Sequence, residues 1–131
     1  KEQPQAVRRV LIVEDNADTA ASLEIALSLA GHSVRVAHDG VAATEAALQF
    51  RPEIVVCDIG LPGMSGYEVA RKLRGNPQTS HALLVAVTGY GKDEDRRLAV
   101  EAGFDHHLTK PVDIEELLRI FARPLAQSET K

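Results

Sequence analysis

The chain of 131 residues contains no tryptophan and only two tyrosines and three phenylalanines, so aromatic residues make up 4% of it. Proteins that bind single-stranded nucleic acid stack the bases on aromatic side chains. The net charge of −4 also argues against the broad basic face that attracts a phosphate backbone. We therefore expect no direct binding to nucleic acid, and a core built from alanine, valine, leucine and isoleucine.

A single cysteine, Cys57, excludes an internal disulfide bond. The apolar runs are too short to cross a bilayer, and residues 1–6 lack the hydrophobic stretch of a secretion signal. These absences favour a cytoplasmic protein that has no direct contact with a membrane.

The composition, with 44% hydrophobic and 26% charged residues, is typical of a globular protein. Its length suits one domain and leaves too few residues for a second core. We predict one domain over residues 7–123, between polar tails or linkers at residues 1–6 and 124–131.

Short apolar runs alternate along the chain with segments in which apolar residues recur at helical spacing. The third run, residues 54–57, contains no polar residue, as expected for a central strand buried on both faces. This alternation predicts an α/β fold, a doubly wound five-stranded parallel sheet with helices on both faces, in the flavodoxin-like strand order 2-1-3-4-5. The predicted strands are residues 10–13, 33–37, 54–57, 83–87 and 104–108, and the predicted helices are residues 20–31, 41–50, 66–74, 93–102 and a last helix after residue 113.

Polar side chains follow four of the predicted strands. Glu14 and Asp15 follow the first strand, Asp58 the third, Thr88 the fourth and Lys110 the fifth. Because the carboxyl ends of parallel strands lie along one edge of a sheet, we expect these residues to meet there. Crowded carboxylates repel one another unless a cation lies among them, and oxygen ligands favour Mg²⁺ or Mn²⁺.

This combination of groups suits phosphoryl transfer. A divalent metal bridges a carboxylate and a phosphoryl oxygen, Lys110 neutralises a second oxygen and Thr88 donates a hydrogen bond to a third. Asp58, on the central strand, is the best candidate for a carboxylate nucleophile toward phosphorus. Taken singly, each residue is equally consistent with a helix cap or a turn, but together they supply complementary chemistry.

Four segments of the sequence match a known family in order and spacing. The chain resembles the receiver domain of two-component response regulators, the CheY-like fold, over most of its length from residue 7 to about residue 122. The matching segments are VLIVEDN (residues 10–16), VVCDIGLPGMSGYEV (55–69), VAVTGY (85–90) and GFDHHLTKPVD (103–113).

The resemblance implies a role for each residue of the predicted site. It makes Asp58 the phosphoacceptor and Lys110 the phosphate-binding lysine, followed by Pro111 in a cis peptide bond. It makes Thr88 the switch hydroxyl, which moves toward the phosphorylated aspartate while an aromatic side chain on the fifth strand turns inward. The implied ligands of Mg²⁺ or Mn²⁺ are Glu14, Asp15, Asp58 and the backbone carbonyl of Gly60.

The chain departs from the family's common pattern at two of these positions. His107, three residues before the lysine, replaces tyrosine or phenylalanine, which we expect to weaken the inward rotation or make it sensitive to pH. Glu14 stands where aspartate is also common, and its longer side chain implies contact with the metal through water.

Other activities lack the residues that they need. A haloacid-dehalogenase-type phosphatase requires a second aspartate where this chain has Gly60, and FMN or dinucleotide binding requires a glycine-rich loop where it has Glu14 and Asp15. A phosphatase with Cys57 as nucleophile requires an arginine where the chain has Gly63, and a cysteine buried in a strand is usually inert.

The five histidines do not form a predicted metal site. His106 and His107 are neighbours on a strand and therefore point to opposite faces, with no cysteine or further histidine at zinc-like spacing. We expect His32, His38 and His81 at the surface or in turns.

The resemblance implies a histidine kinase or a histidine phosphotransfer domain as phosphodonor, and an output domain or protein as the downstream partner. The sequence around the fifth strand, GFDHHLTKP (residues 103–111), is most similar to that of receivers fused to hybrid histidine kinases. Such a domain catalyses its own phosphorylation and slow dephosphorylation and is not a conventional enzyme. The alternative is a receiver-like interaction module that works without phosphorylation, although such a module is expected to lack Asp58 or Lys110.

Overall fold

The computed structural model describes residues 7–89 and 93–122, and the structural statements below concern these residues. The predicted tails at residues 1–6 and 124–131 lie outside them. None of the described helices combines the length and the apolar character that crossing a membrane requires.

Five strands and five helices alternate along the chain, and the strands form one parallel sheet in the order β2-β1-β3-β4-β5. This confirms the predicted fold class and strand order. The strands are β1 (Arg9–Val13), β2 (Ser33–Ala37), β3 (Ile54–Asp58), β4 (Leu83–Thr88) and β5 (His106–Thr109). The helices are α1 (Ala17–Leu29), α2 (Gly40–Phe50), α3 (Gly66–Arg74), α4 (Asp93–Ala102) and α5 (Ile114–Ala122).

Helices cover both faces of the sheet, and alternate strand residues point into two separate cores. Leu11 and Val55 belong to a cluster that includes residues of α2, α3 and α4. Val10 and Val56 belong to a second cluster, which includes Leu27 of α1 and residues of α5. Strand β3 is buried along its whole length, as the absence of polar residues in its run predicted.

Helix α1 begins three residues before its predicted start. The side-chain oxygen of Asn16 accepts a hydrogen bond from the Thr19 amide at 2.9 Å, and this cap fixes the first turn before the apolar repeat begins. The helix ends at Leu29, and Gly31 then adopts a positive φ of 99°.

Helix α3 starts with a capping box formed by Ser65 and Glu68. The Ser65 side chain accepts from the Glu68 amide, and the Glu68 side chain accepts from the Ser65 amide. The helix ends at Arg74, as its predicted range of residues 66–74 required, with Gly75 as its C-cap.

The predicted start of β5 lay two residues too early, and its predicted end one residue too early. The strand begins at His106, where pairing with Val85 begins, and Phe104 is buried in the core without belonging to the strand. Phe104 therefore marked burial here, and the hydrogen-bonded strand starts two residues later.

The prediction that His32 lies at the surface was wrong. Only 7% of His32 is exposed, because its ring packs edge-on against Phe121 with ring centres 5.2 Å apart. Its Nδ1 accepts a hydrogen bond from the Arg8 amide at 3.1 Å. By contrast His38 and His81 are exposed.

Candidate functional site

The polar residues that follow the strands lie along one edge of the sheet. Asp58 and Thr88 are the last residues of β3 and β4, while Glu14 and Lys110 directly follow β1 and β5. Strand β3 lies between β1 and β4, so the side chains that end or follow these strands flank Asp58. The parallel fold therefore gathers residues from distant parts of the sequence at the carboxyl ends of the strands.

Three carboxylates form a cluster at this edge. One carboxylate oxygen each from Glu14, Asp15 and Asp58 lies within 4.8 Å of the other two. Glu14 and Asp58 are only 3% and 7% exposed, whereas Asp15 is exposed to solvent. Like charges at this separation repel one another, so a cation among them lowers the electrostatic energy of the cluster.

The Lys110 ammonium group lies against two of these carboxylates. Its Nζ is 3.1 Å from Asp58 Oδ2 and 3.5 Å from Glu14 Oε1. Burial alone lowers the pKa of Lys110, but the hydrogen bond and attraction to Asp58, together with Glu14, outweigh it and raise that pKa. Lys110 therefore remains charged. The peptide bond between Lys110 and Pro111 is cis.

The two oxygens of Asp58 have different partners. Oδ2 contacts Lys110, whereas Oδ1 accepts a hydrogen bond from the Gly60 amide at 3.0 Å. The loop can return close to the strand because residue 66 is glycine: a Cβ atom there would lie 2.5 Å from the Asp58 carbonyl oxygen. The start of α3 is thereby packed directly against the end of β3.

The Glu14 carboxylate is turned toward its own chain. Its Oε2 accepts from the Asn16 amide at 3.2 Å. Burial raises the pKa of Glu14 and the charge of Asp58 adds to this effect, while the Asn16 amide and Lys110 oppose it. Asn16 thus caps α1 and also orients one member of the acidic cluster.

The comparisons with known proteins agree with this geometry. The family model for the response regulator receiver domain matches residues 10–122. The chain belongs to this family. It is the receiver domain of the response regulators of two-component systems.

Curated relatives of this receiver domain include longer regulators. It is 38% identical over 110 residues to the response regulator MprA of Mycobacterium tuberculosis, and 33% identical over 110 residues to the DNA-binding dual master transcriptional regulator RpaA of a Synechocystis species. These matches take in 84% of the chain but only 47% and 46% of the two relatives, so it spans about half their length. An uncharacterized 14.6 kDa protein of Leptolyngbya boryana is 35% identical, with 90% of each chain covered.

Solved structures share the fold. A putative response regulator from Chloroflexus aurantiacus is 32% identical with a TM-score of 0.83, covering 90% of this chain and all of that one. The receiver domain of the sensor histidine kinase PA1611 from Pseudomonas aeruginosa is 30% identical with a TM-score of 0.81, covering 88% of this chain and 95% of that one. Magnesium is coordinated in the active site cleft of the latter structure.

The donor set of this receiver domain fits a divalent cation that prefers oxygen. Among the described residues, the side chains grouped closely enough to hold an ion are Glu14, Asp15 and Asp58, all of them carboxylates. Hard oxygen donors suit Mg²⁺ or Mn²⁺. The exposed Gly60 adjoins this group, since its backbone amide donates to Asp58 Oδ1 at 3.0 Å.

The proposed switch residues lie on neighbouring strands. Thr88 is 5% exposed at the end of β4 and is paired with Thr109, whereas His107 pairs with Ala86 further down β5. Both ring nitrogens of His107 are buried with no hydrogen-bond partner among the described residues. Burial lowers the pKa of His107 and the Arg96 charge adds to this effect, while the Asp95 charge opposes it, so the neutral ring is favoured.

Two alternative sites considered from the sequence find no support in the geometry. His106 pairs with Val85 and His107 with Ala86, two residues that belong to opposite cores, so the adjacent histidines do not converge on one metal. Cys57 is fully buried, and burial raises the pKa of its thiol, which is therefore protonated and not nucleophilic.

Sequence reasoning missed two contacts made to Glu14, one to its carboxylate and one to its backbone. The Asn16 amide holds the Glu14 carboxylate, and the exposed His38 contacts the Glu14 carbonyl oxygen at 3.0 Å. For His38 the only available signal was its place directly after the second strand, next to the predicted site.

Proposed function

We propose that this receiver domain takes a phosphoryl group from a phosphohistidine onto Asp58 in the presence of Mg²⁺ and passes the signal on by a change of conformation. The contact that supports this most directly joins Asp58 Oδ2 to Lys110 Nζ at 3.1 Å, inside a cluster of three carboxylates. A buried aspartate with a lysine beside it, and with further carboxylates to bind a cation, is equipped both to attack phosphorus and to stabilise the charge that develops.

The reaction transfers the phosphoryl group between two side chains. An oxygen of Asp58 attacks phosphorus, the bond from phosphorus to the donor imidazole nitrogen breaks and that nitrogen keeps the electron pair. Lys110 pairs with a phosphoryl oxygen as charge accumulates. Slow hydrolysis by water later returns the free aspartate.

Asp15, Asp58 and the Gly60 carbonyl would hold the Mg²⁺ ion, with Glu14 bound through a water molecule. When bound, Mg²⁺ neutralises the carboxylate cluster and the phosphoryl oxygens. The role given to Glu14 follows from its side chain, whose carboxylate is already occupied by the Asn16 amide and the Lys110 ammonium.

Phosphorylated Asp58 presents new acceptor oxygens to the Thr88 hydroxyl, which moves toward them. Movement of Thr88 frees space for His107, whose ring nitrogens gain from leaving a position in which they have no described hydrogen-bond partner. His107 thereby takes the part of the switch aromatic.

The phosphodonor in this proposal is a histidine kinase or a histidine phosphotransfer domain in the cytoplasm, and the folded receiver extends over residues 7–123. Because regulators such as MprA and RpaA are about twice as long as the matched region, an output domain or partner protein receives the signal. The likeness to the PA1611 receiver also supports a place within a hybrid histidine kinase.

Incubation with acetyl phosphate and Mg²⁺, followed by intact mass measurement, tests the central step. A cavity of about 510 Å³ beside Lys110 and Asp58 gives a small donor access to the site. We expect the mass of one added phosphoryl group on the unmodified chain and none on Asp58→Asn. Asp18→Asn, which removes an exposed carboxylate from α1, is the matched control and should be phosphorylated normally.

A mass gain that persists in Asp58→Asn would disprove the assignment. No gain in the unmodified chain would favour the interaction module that works without phosphorylation. The same samples test the switch by NMR, because the Thr88 and His107 resonances should shift on phosphorylation of the unmodified chain, and unchanged resonances would argue against their role.

A further inference from the structure

His38 lies where the edge strand of the sheet meets the acidic site. It directly follows Ala37, the last residue of β2, and precedes Asp39, whose side chain caps α2 by accepting from the Ala42 amide at 2.8 Å. The backbone on both sides of His38 is therefore fixed. Its own side chain reaches across to the neighbouring strand, where Nδ1 is 3.0 Å from the Glu14 carbonyl oxygen.

The chemistry of this contact determines the tautomer of His38. A carbonyl oxygen only accepts hydrogen bonds, so the proton must be on Nδ1, which donates. The Glu14 backbone is thus fixed twice from the β2 side, since its amide also donates to the Ala37 carbonyl at 3.0 Å.

The peptide that His38 holds is the one that joins Glu14 to Asp15. Asp15 is exposed, and no hydrogen bond or ion pair of its side chain is found within residues 7–89 and 93–122. Even so, its carboxylate lies within 4.8 Å of two other carboxylates that repel it. The direction of its backbone, and therefore the peptide bound by His38, has to keep this side chain in the cluster.

We propose that His38 is a positioning residue of the cation site, in which the hydrogen bond from Nδ1 to the Glu14 carbonyl aims Asp15 at the bound cation. This inference rests on the proposed Mg²⁺ site and adds to it a residue from outside the predicted set. His38 does not touch the cation itself. It acts through the main chain, as groups behind the direct ligands of a metal commonly do.

The test is calorimetric titration of the full chain with Mg²⁺ alone, without a phosphodonor. We expect His38→Ala to weaken Mg²⁺ affinity roughly tenfold, at the lower end of the range for groups behind the direct ligands. The amide nitrogen of asparagine lies near the place of Nδ1, whereas that of glutamine lies nearer Nε2. His38→Asn should therefore restore most of the affinity, and His38→Gln should restore less.

His81→Ala is the matched control, because His81 is also exposed but precedes β4 at the opposite edge of the sheet. Its Mg²⁺ affinity should equal that of the unmodified chain. Urea unfolding midpoints of all four variants should stay close to the unmodified value, which separates positioning from a general loss of structure. Nitrogen NMR of the neutral His38 ring should show the proton on Nδ1.

Three results would overturn the inference: unchanged Mg²⁺ affinity in His38→Ala, a loss that asparagine does not restore, or a proton on Nε2. Each of these leaves the proposed function intact, provided that the unmodified chain binds Mg²⁺. An unmodified chain that binds no Mg²⁺ would instead remove the cation from the proposed function, and this inference with it.

Discussion

At the amino-terminal edge of the sheet arginine side chains donate to main-chain carbonyls, whereas at the carboxyl-terminal edge three carboxylates are crowded within 4.8 Å. The first arrangement satisfies donors and acceptors on distant segments of the chain. The second places like charges together with one lysine to offset them. The two edges belong to the same five strands, so the difference lies in the side chains and not in the fold.

Arg74 is the centre of the amino-terminal edge. From the last turn of α3 its guanidinium group donates to the carbonyls of Ser80 and Ala82 at 2.8 and 2.7 Å, and to that of Gly103 at 2.9 and 2.7 Å. It also pairs with the Asp105 carboxylate at 2.7 Å. One side chain thereby joins α3 to the segments that lead into β4 and β5.

The carboxyl-terminal edge combines buried charges with repulsion between like charges. Glu14 and Asp58 are nearly buried, where their charges are poorly hydrated. Bringing Asp15 close to them adds repulsion, which a bound cation lowers and the negative charge of a phosphoryl group raises. A cation that binds among the three carboxylates therefore gains from the same repulsion that opposes their approach.

Replacement of Arg74 by methionine should cause the largest loss of stability. The variant leaves the carbonyls of Ser80, Ala82 and Gly103 without this donor, at about 1 kcal/mol for each of the three carbonyls, so we expect a loss of about 2–3 kcal/mol. Urea unfolding measures it, with Arg71→Met, an exposed change in the same turn of α3, as control. Mg²⁺ affinity of the folded variant should not change. Equal stability of the two variants would refute the contrast between the edges.

The sequence allowed the site to be predicted better than the opposite edge. Strand ends could be placed to within a few residues, and parallel pairing then brings Glu14, Asp58 and Lys110 together whatever the details of their contacts. The bonds of Arg74 could not be predicted, because their acceptors are main-chain carbonyls, which leave no trace in residue type. His32 was misjudged for a similar reason, since its cover, Phe121, comes from the last helix.

Within the acidic cluster, Asp15 and Glu14 should differ in their effect on Mg²⁺ binding. Asp15→Ala should weaken Mg²⁺ affinity tenfold or more. It removes an exposed carboxylate that has no hydrogen-bond or ion-pair partner among the described residues and is therefore available to bind the cation directly. Glu14→Ala should weaken affinity far less, since the Glu14 carboxylate already accepts from Asn16 and pairs with Lys110. Calorimetric titration with Mg²⁺ measures both.

In the absence of Mg²⁺, Asp15→Ala should raise the free energy of unfolding, by at most about 1 kcal/mol, because it relieves repulsion between charges near the surface. Urea unfolding with and without Mg²⁺ checks this. Equal losses of Mg²⁺ affinity in the two variants would contradict the water-mediated role of Glu14. A lower free energy of unfolding in Asp15→Ala would contradict the repulsion inferred among the three carboxylates.

The smallest effect concerns His32, a titratable group buried near the amino-terminal edge of the sheet. Burial lowers the pKa of His32 and the Arg8 charge adds to this, so the unfolded chain takes up a proton at a higher pH than the folded one. The stabilisation from the neutral ring is complete above the ordinary histidine pKa of about 6.5 and is lost as pH falls below it.

In His32→Asn the side-chain oxygen replaces Nδ1 as the acceptor for the Arg8 amide and does not titrate. Urea unfolding at pH 8 and at pH 5.5 should therefore show a smaller loss in His32→Asn than in the unmodified chain, with His81→Asn as the exposed control. If His32→Asn lost as much stability between pH 8 and pH 5.5 as the unmodified chain, His32 would not be the titrating group. The pH dependence of stability would then arise elsewhere in the chain.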